Sequence, residues 1–279
     1  MKLPFDTPQV IEYRCNICGG KNQLESHQFN RERAICEKCG ANARFRGIIH
    51  VLANLLEEGE NTTLQEWPMR KNIFGIGMSD WPGYANLLKK KFSYENTFFD
   101  HEPKLDIMNL TEKHLGRYDF VISTDVFEHI LQPLQQGFDN LFRLLRPDGR
   151  LVFSVPYTRT AQTVEHYPGL RDYEILNFRG GRIIVNRDEA GRLQVYDNLV
   201  FHGGEGATLE MRVFCETDVL SRLARSGFES IRVHDQPQLS IGYYWPEPKF
   251  PDWETGNYII SARRPATDND RRKLETFQK

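Results

Sequence analysis

Between Asn72 and Val155 the rhythm of apolar and polar positions switches repeatedly. Short runs of strand character occur at Asn72–Gly77 (NIFGIG), Tyr94–Phe99, Leu105–Ile107, Tyr118–Ser123 (YDFVIS) and Arg150–Val155 (RLVFSV). Between them, Gly83–Phe92 and Phe138–Leu145 carry apolar residues at helical spacing, and Pro147–Asp148–Gly149 marks a turn. Strands alternating with helices predict right-handed crossovers and a mainly parallel sheet with helices on both faces, a doubly wound α/β domain. Upstream, Phe45, Ile48, Ile49, Leu52, Leu55 and Leu56 predict a docking helix within Ala43–Glu60. The alternation breaks after Pro156. Tyr173–Phe178, Gly181–Asn186 and Leu193–Phe201 read as strands around an Asp188–Gly191 turn, so residues 157–206 predict a β-rich insertion. A helix at Glu216–Ser226 and strands at Ser230–Val233 and Asn257–Ala262 complete the pattern, with a Pro-, Trp- and Tyr-rich stretch between the last two.

Cysteine spacing adds a second module. Cys15 and Cys18 are followed, after 17 intervening residues, by Cys36 and Cys39, the spacing of a four-cysteine zinc site. Two-residue gaps let each turn present two thiolates to one ion, and two such turns close a tetrahedral site without an open catalytic position. Gly19, Gly20 and Gly40 follow the second cysteine of each pair, where positive φ is expected. Cys215 lies in an apolar run and reads as a small buried hydrophobe. The predicted organisation is therefore a zinc-binding module at 1–47, a connecting helix and linker at 48–70, an α/β domain at 71–265 and a polar tail at 266–279.

Composition removes other classes. With 36 Lys and Arg against 38 Asp and Glu, the net charge of −2 argues against a wholesale polyanion binder. No apolar run approaches the roughly 18–20 residues of a membrane span. The first residues lack a secretory apolar region, and a cytoplasmic chain is expected.

Candidate chemistry clusters at predicted strand ends. Gly75–Ile76–Gly77–Met78–Ser79–Asp80 is a glycine turn after the first strand, where a nucleotide-like ligand belongs in such sheets. It lacks the dinucleotide and triphosphate fingerprints. Asp100 or Glu102, after the second strand, suits ribose hydroxyls, and Asp106 with Ile107 suits an adenine amino group and its face. The segments Tyr118–Ile130 (YDFVISTDVFEHI) and Leu141–Pro156 (LFRLLRPDGRLVFSVP) resemble the corresponding motifs of class I S-adenosylmethionine-dependent methyltransferases. The resemblance covers about Asn72 to Arg263 and implies a Rossmann-like seven-stranded sheet with S-adenosylmethionine as cofactor. It implies that Gly75 and Gly77 cradle the methionine part and that Asp100 or Glu102 holds the ribose and Asp106 with Ile107 the adenine, with Ser79 and Thr124 also among the cofactor-binding residues. One departure is that Ile73–Phe74 precedes the glycines where the family has an acid, leaving Ser79 or Asp80 to meet the cofactor's ammonium group.

Asp125, Glu128 and His129 fall on one face if a helix starts here, with Asp125 capping it and Glu128 closing a capping box. His129 suits a general base for a hydroxyl acceptor. The resemblance also implies a second reading, because some family members bind a divalent metal through such a Glu-His pair, and His202 or His166 would complete that site. A segment VFHGG…LEMR.F resembles bacterial methyltransferases with cysteine knuckles, a resemblance that implies O-methylation of a sugar or other small molecule such as a cell-surface glycan precursor. The competing reading is an RNA methyltransferase. Residues 1–50 hold eight Lys and Arg against five Asp and Glu, and Arg31, Arg33, Arg44 and Arg46 flank the second knuckle. A third reading is a methyltransferase-like interaction protein without catalysis, motivated by the missing acid before Gly75. The oligomeric state is not encoded in these patterns.

Overall fold

The computed structural model describes residues 7–59, 61–202, 208–245 and 257–266. Near the N-terminus, β1 (Val10–Arg14) and β2 (Lys21–Glu25) form an antiparallel hairpin whose turn carries the first cysteine pair. Helix α1 (Ala43–Leu55) follows the second pair, and the Asn42 side chain caps it by accepting from the Phe45 amide at 2.9 Å. Its buried face is Ile48, Ile49, Val51 and Leu52, as the apolar spacing predicts.

The α/β domain alternates as expected: β3 (Arg70–Met78), α2 (Pro82–Lys91), β4 (Phe92–Thr97), β5 (Tyr118–Thr124), α3 (Leu134–Leu144) and β6 (Leu145–Ser154). An insertion comprises β7 (Tyr157–Thr158), β8 (Val164–Glu165), β9 (Asp172–Phe178), β10 (Gly181–Arg187), β11 (Leu193–Tyr196), β12 (Phe201–His202), β13 (Thr208–Leu209) and β14 (Arg212–Cys215). Then α4 (Glu216–Arg225), β15 (Glu229–His234) and β16 (Ile259–Arg263) return to the main sheet. Its order is β15-β16-β6-β5-β3-β4, with β4, β3, β5 and β6 parallel and β16 antiparallel to both neighbours. All seven residues of β5 are buried, as required of a strand covered on both faces.

Among the described residues this sheet has six strands, so the expected seventh is not confirmed. Leu105–Ile107 forms no strand. Pairing is reduced to one bridge between Phe98 and Lys104, because the Asp106 carboxylate takes the Met108 amide at 2.9 Å and turns the chain out of the sheet.

A second correction concerns the segment after β5. No helix starts at Asp125: that residue has φ 55°, Phe127–His129 is a single 3₁₀ turn, and α3 begins at Leu134 after Pro133. Proline disfavours helical backbone in the residue before it, so a helix begun at Asp125 could not run through Gln132 into α3. Arg212 holds the intervening turn open by donating to the Phe127 and Ile130 carbonyls at 3.0 and 2.6 Å.

The insertion's three-stranded meander β11-β10-β9 matches expectation closely. It packs through Ile184 on a small separate core with Tyr167, Leu170, Leu209 and Met211. By contrast, the cysteine module shares the main core: Ile17, Phe29 and Ala34 belong to the same buried cluster as Ile76, Phe120 and Val152. The late aromatics Tyr243, Tyr244 and Trp245 are buried there too, with Phe29 and Tyr244 ring centroids 5.6 Å apart, whereas Trp253 and the tail from 267 lie outside the described residues.

Candidate active site

The four cysteine sulfurs all lie within 4.8 Å of one another. Cys15–Cys39 and Cys18–Cys36 sulfur separations are 3.8 and 3.6 Å. Four thiolates about 2.3 Å from one tetrahedral ion stand about 3.8 Å apart, whereas a disulfide needs about 2.0 Å, so the arrangement fits a metal. Each knuckle is closed by paired backbone bonds, Gly19 to Cys15 and Gly40 to Cys36, both 2.8 Å. Gly19 and Gly40 have φ of 73° and 79°, where a β-carbon is disfavoured. Gly20 instead is small for space, since a β-carbon there would stand 3.0 Å from Lys38 Cβ. A hydrogen bond with Cys39 pulls the Cys15 thiol down to about 5, and the same contact pushes Cys39 up.

At the carboxyl ends of β3 and β5 a polar cluster is walled in by protein. Gly75 leaves the space that the Phe120 ring fills, a packing role. Gly77 leaves room for the Asp80 carboxyl and the Tyr94 hydroxyl, which are hydrogen-bonded to each other. Tyr84 donates to the other Asp80 oxygen at 2.7 Å. Burial raises the Asp80 carboxyl to about 7, with the tyrosine hydroxyls and Arg44 opposing the shift. Ser79, at φ 57°, links the turn to β4 by donating its amide to Thr97 O at 2.7 Å. Thr124 ends β5 beside Tyr84 and is buried.

Asp125 is the centre of the cluster. Ser154 Oγ donates to it at 3.1 Å, while Arg31 reaches its two oxygens at 2.7 and 2.6 Å and Arg44 lies 3.4 Å away. Arg31 comes from the cysteine module and Arg44 from the first turn of α1; their side chains are only 12% and 16% exposed. Both flank the second knuckle in the basic patch that the RNA alternative relied on. The available signal was their position flanking the second knuckle, but a contact spanning 94 residues leaves no local periodicity.

Glu128 is fully buried, and burial first, then the charges of Asp125 and Glu210, raises its carboxyl well above the usual range. His129 Nδ1 lies 2.7 Å from the Leu209 carbonyl and Nε2 lies 3.7 Å from Glu128 Oε1. His166 pairs with Glu210 at 3.3 Å. The backbone of His202 pairs with Thr208, and its side chain lies outside the described residues. Among the described residues only the four cysteines form a group suited to a metal, so nothing supports a second ion at Glu128 and His129.

The nucleoside-side candidates line the loops after β4. Asp100 is exposed and paired with His101 at 2.7 Å, and Glu102 accepts the Lys104 amide at 3.0 Å. Asp106 also accepts from Asn109 at 2.8 Å, and Ile107 is buried. A cleft of about 430 Å³ lies at the opposite, amino ends of β3, β4 and β5, lined by Lys71, Phe74, Phe92 and Tyr118 among others. Ligands of doubly wound sheets sit at the carboxyl ends, so the polar cluster and not this cleft is the candidate site.

In a doubly wound sheet a polar cluster at the switch point is where a nucleotide-like cofactor would bind. The family model described as a methyltransferase domain matches residues 41–187, just over half of the chain, and the chain belongs to that family: it is an S-adenosylmethionine-dependent methyltransferase. No curated protein sequence matches the chain. Among solved structures, the chain is similar to the Burkholderia thailandensis 1,6-didemethyltoxoflavin-N1-methyltransferase with bound 1,6-didemethyltoxoflavin and S-adenosylhomocysteine, at 14% identity and TM-score 0.43, covering 80% of this chain and 78% of that one. It is similar to an S-adenosylmethionine-dependent methyltransferase from Mesorhizobium loti at 13% identity and TM-score 0.41, covering 80% and 99%. A third similarity is to the CurJ carbon methyltransferase, at 12% identity and TM-score 0.44, covering 81% and 56%.

None of the helices among the described residues is long and apolar enough to cross a membrane. The residues present fit the cofactor in one specific respect: Arg31 Nε is a buried donor with no hydrogen-bond acceptor among the described residues, as expected beside a site for an anionic group.

Proposed function

We propose that this enzyme methylates a hydroxyl group of a sugar or similar small molecule in the cytoplasm, with a structural zinc in its four-cysteine module. The observation that carries the oxygen acceptor is the geometry of His129. A carbonyl oxygen only accepts, so the 2.7 Å contact with Leu209 O fixes the proton on Nδ1 and leaves Nε2, 3.7 Å from Glu128 Oε1, as the nitrogen that can take a proton. When bound, S-adenosylmethionine supplies a methyl group on a sulfonium. The role of His129 would be to hold the acceptor hydroxyl and take its proton at Nε2 as the oxygen is methylated. Elsewhere the protein positions and dehydrates the reactants. Gly77 with Ser79 and Thr124 borders the amino-acid end of the cofactor, and Asp100, Glu102, Asp106 and Ile107 border the nucleoside.

The RNA reading loses its main support. Of the four arginines flanking the second knuckle, Arg31 and Arg44 turn inward to Asp125. Arg46 is wholly buried and donates to the Ala34, Ala41 and Gly242 carbonyls. Only Arg33 of the four is left exposed for phosphate.

Labelled S-adenosylmethionine offered with a panel of nucleotide sugars and, separately, rRNA fragments tests this reading. Label should enter the sugars, and His129→Ala should lower turnover by about 10²–10⁴ while S-adenosylhomocysteine affinity stays within twofold. Transfer to RNA alone, or equal turnover in the variant, contradicts it.

A further inference from the structure

The cysteine module does more than sit beside the catalytic sheet: it delivers two guanidinium groups to the switch point. We propose that Arg31 and Arg44 recognise the α-carboxylate of the cofactor's amino-acid end, while Asp125 takes its ammonium group. This assignment rests on the cofactor reading given above.

Three features converge on it. First, both arginines are held mostly buried against Asp125 at the carboxyl end of β5, the strand beside β3 and its glycine turn. Arg44 is fixed by the Glu32 carboxylate at 2.8 Å and lies over the Phe45 ring, which stacks on Trp81 at 4.7 Å just before α2. Arg44 therefore belongs to the wall of the glycine turn. Second, Arg31 has a buried Nε without an acceptor among the described residues, a donor that a carboxylate would satisfy in the planar fork geometry guanidinium groups favour.

Third, the acids sort by availability. Asp80, the acid closest to the glycines, accepts from two tyrosine hydroxyls in a fully walled pocket. Asp125 instead holds a charged pair that a zwitterion can exchange. An incoming amino-acid end exchanges the pairing of Asp125 with Arg31 and Arg44 for carboxylate with guanidinium and ammonium with Asp125, and no charge is left stranded. The arrangement also accounts for the missing acid before Gly75: the counter-charge to the ammonium lies after β5 rather than before the glycines.

Calorimetric titration of the full-length, metal-loaded chain with two ligands tests the assignment. S-adenosylhomocysteine carries the amino-acid end, whereas 5′-methylthioadenosine keeps the nucleoside and thioether without it. Arg31→Gln and Arg44→Gln should each weaken S-adenosylhomocysteine binding tenfold or more and change 5′-methylthioadenosine binding less than twofold. Arg31→Lys keeps the charge but not the fork and should lose several-fold, again for the first ligand alone. Bound 5′-methylthioadenosine reports that each variant is folded. If the parent binds S-adenosylhomocysteine and the variants bind it equally well, or if both ligands weaken in parallel in Arg31→Lys, the assignment is overturned alone. A parent that binds neither ligand overturns the cofactor reading and the assignment together.

Discussion

Asp80 shows how one buried side chain sets a measurable property of the whole chain. Its carboxyl holds a proton up to about 7 in the folded protein, against 3.8 when unperturbed. Between those values the folded state binds more protons than the unfolded state, so this group makes stability fall as pH rises. The slope is about 1.4 kcal/mol per pH unit, full stability being present below pH 4 and lost by about pH 7. Asp80→Asn removes that slope. Urea unfolding at pH 5 and pH 7 should show the variant gaining on its parent at the higher pH, and parallel profiles would contradict the burial argument. None of this was legible from the motif. Asp80 looked like a free acid next to a glycine turn, and only the fold brings Tyr84 and Tyr94 onto it. Arg46 is a similar case, since its three carbonyl acceptors come from two knuckle residues and from Gly242, 196 positions away.

Elements were legible where the causes are local. The knuckles follow from cysteine spacing and two left-handed glycines, and the β9–β11 meander follows from alternation and the Asp188 turn, whose carboxylate accepts the Ala190 and Arg192 amides at 2.9 Å. The element after β5 was misread because i, i+3, i+4 spacing of Asp125, Glu128 and His129 imitates a helix start. Pro133 and the distant Arg212 decide otherwise. At this scale the metal has a testable role. A hairpin of two five-residue strands is marginal alone, and an ion held by the four cysteines would add to the packing of β1–β2 on the main core. Chelation should release one metal ion per chain and speed amide exchange in the Cys15–Gly20 and Cys36–Ala41 turns, leaving β5 and β6 protected. Unchanged protection in both turns would reject a metal-held module.

At the scale of the molecule, the doubly wound sheet was readable from alternation, and the methyltransferase family from the strand-end motifs. The joint between module and sheet was not readable, because composition separates a slightly basic front from a more acidic remainder without saying where the basic groups point. The structure turns Arg31 and Arg44 inward, so a feature suited to nucleic acid becomes part of the cofactor site in our account. A crystal structure with S-adenosylhomocysteine bound tests that account most directly. We predict the ligand over the Gly77 turn between β3 and β5, its carboxylate within hydrogen-bond distance of Arg31 and its ammonium facing Asp125; a ligand seated in the cleft at the amino ends of β3 to β5, or pointing its amino-acid end away from the arginines, would contradict it.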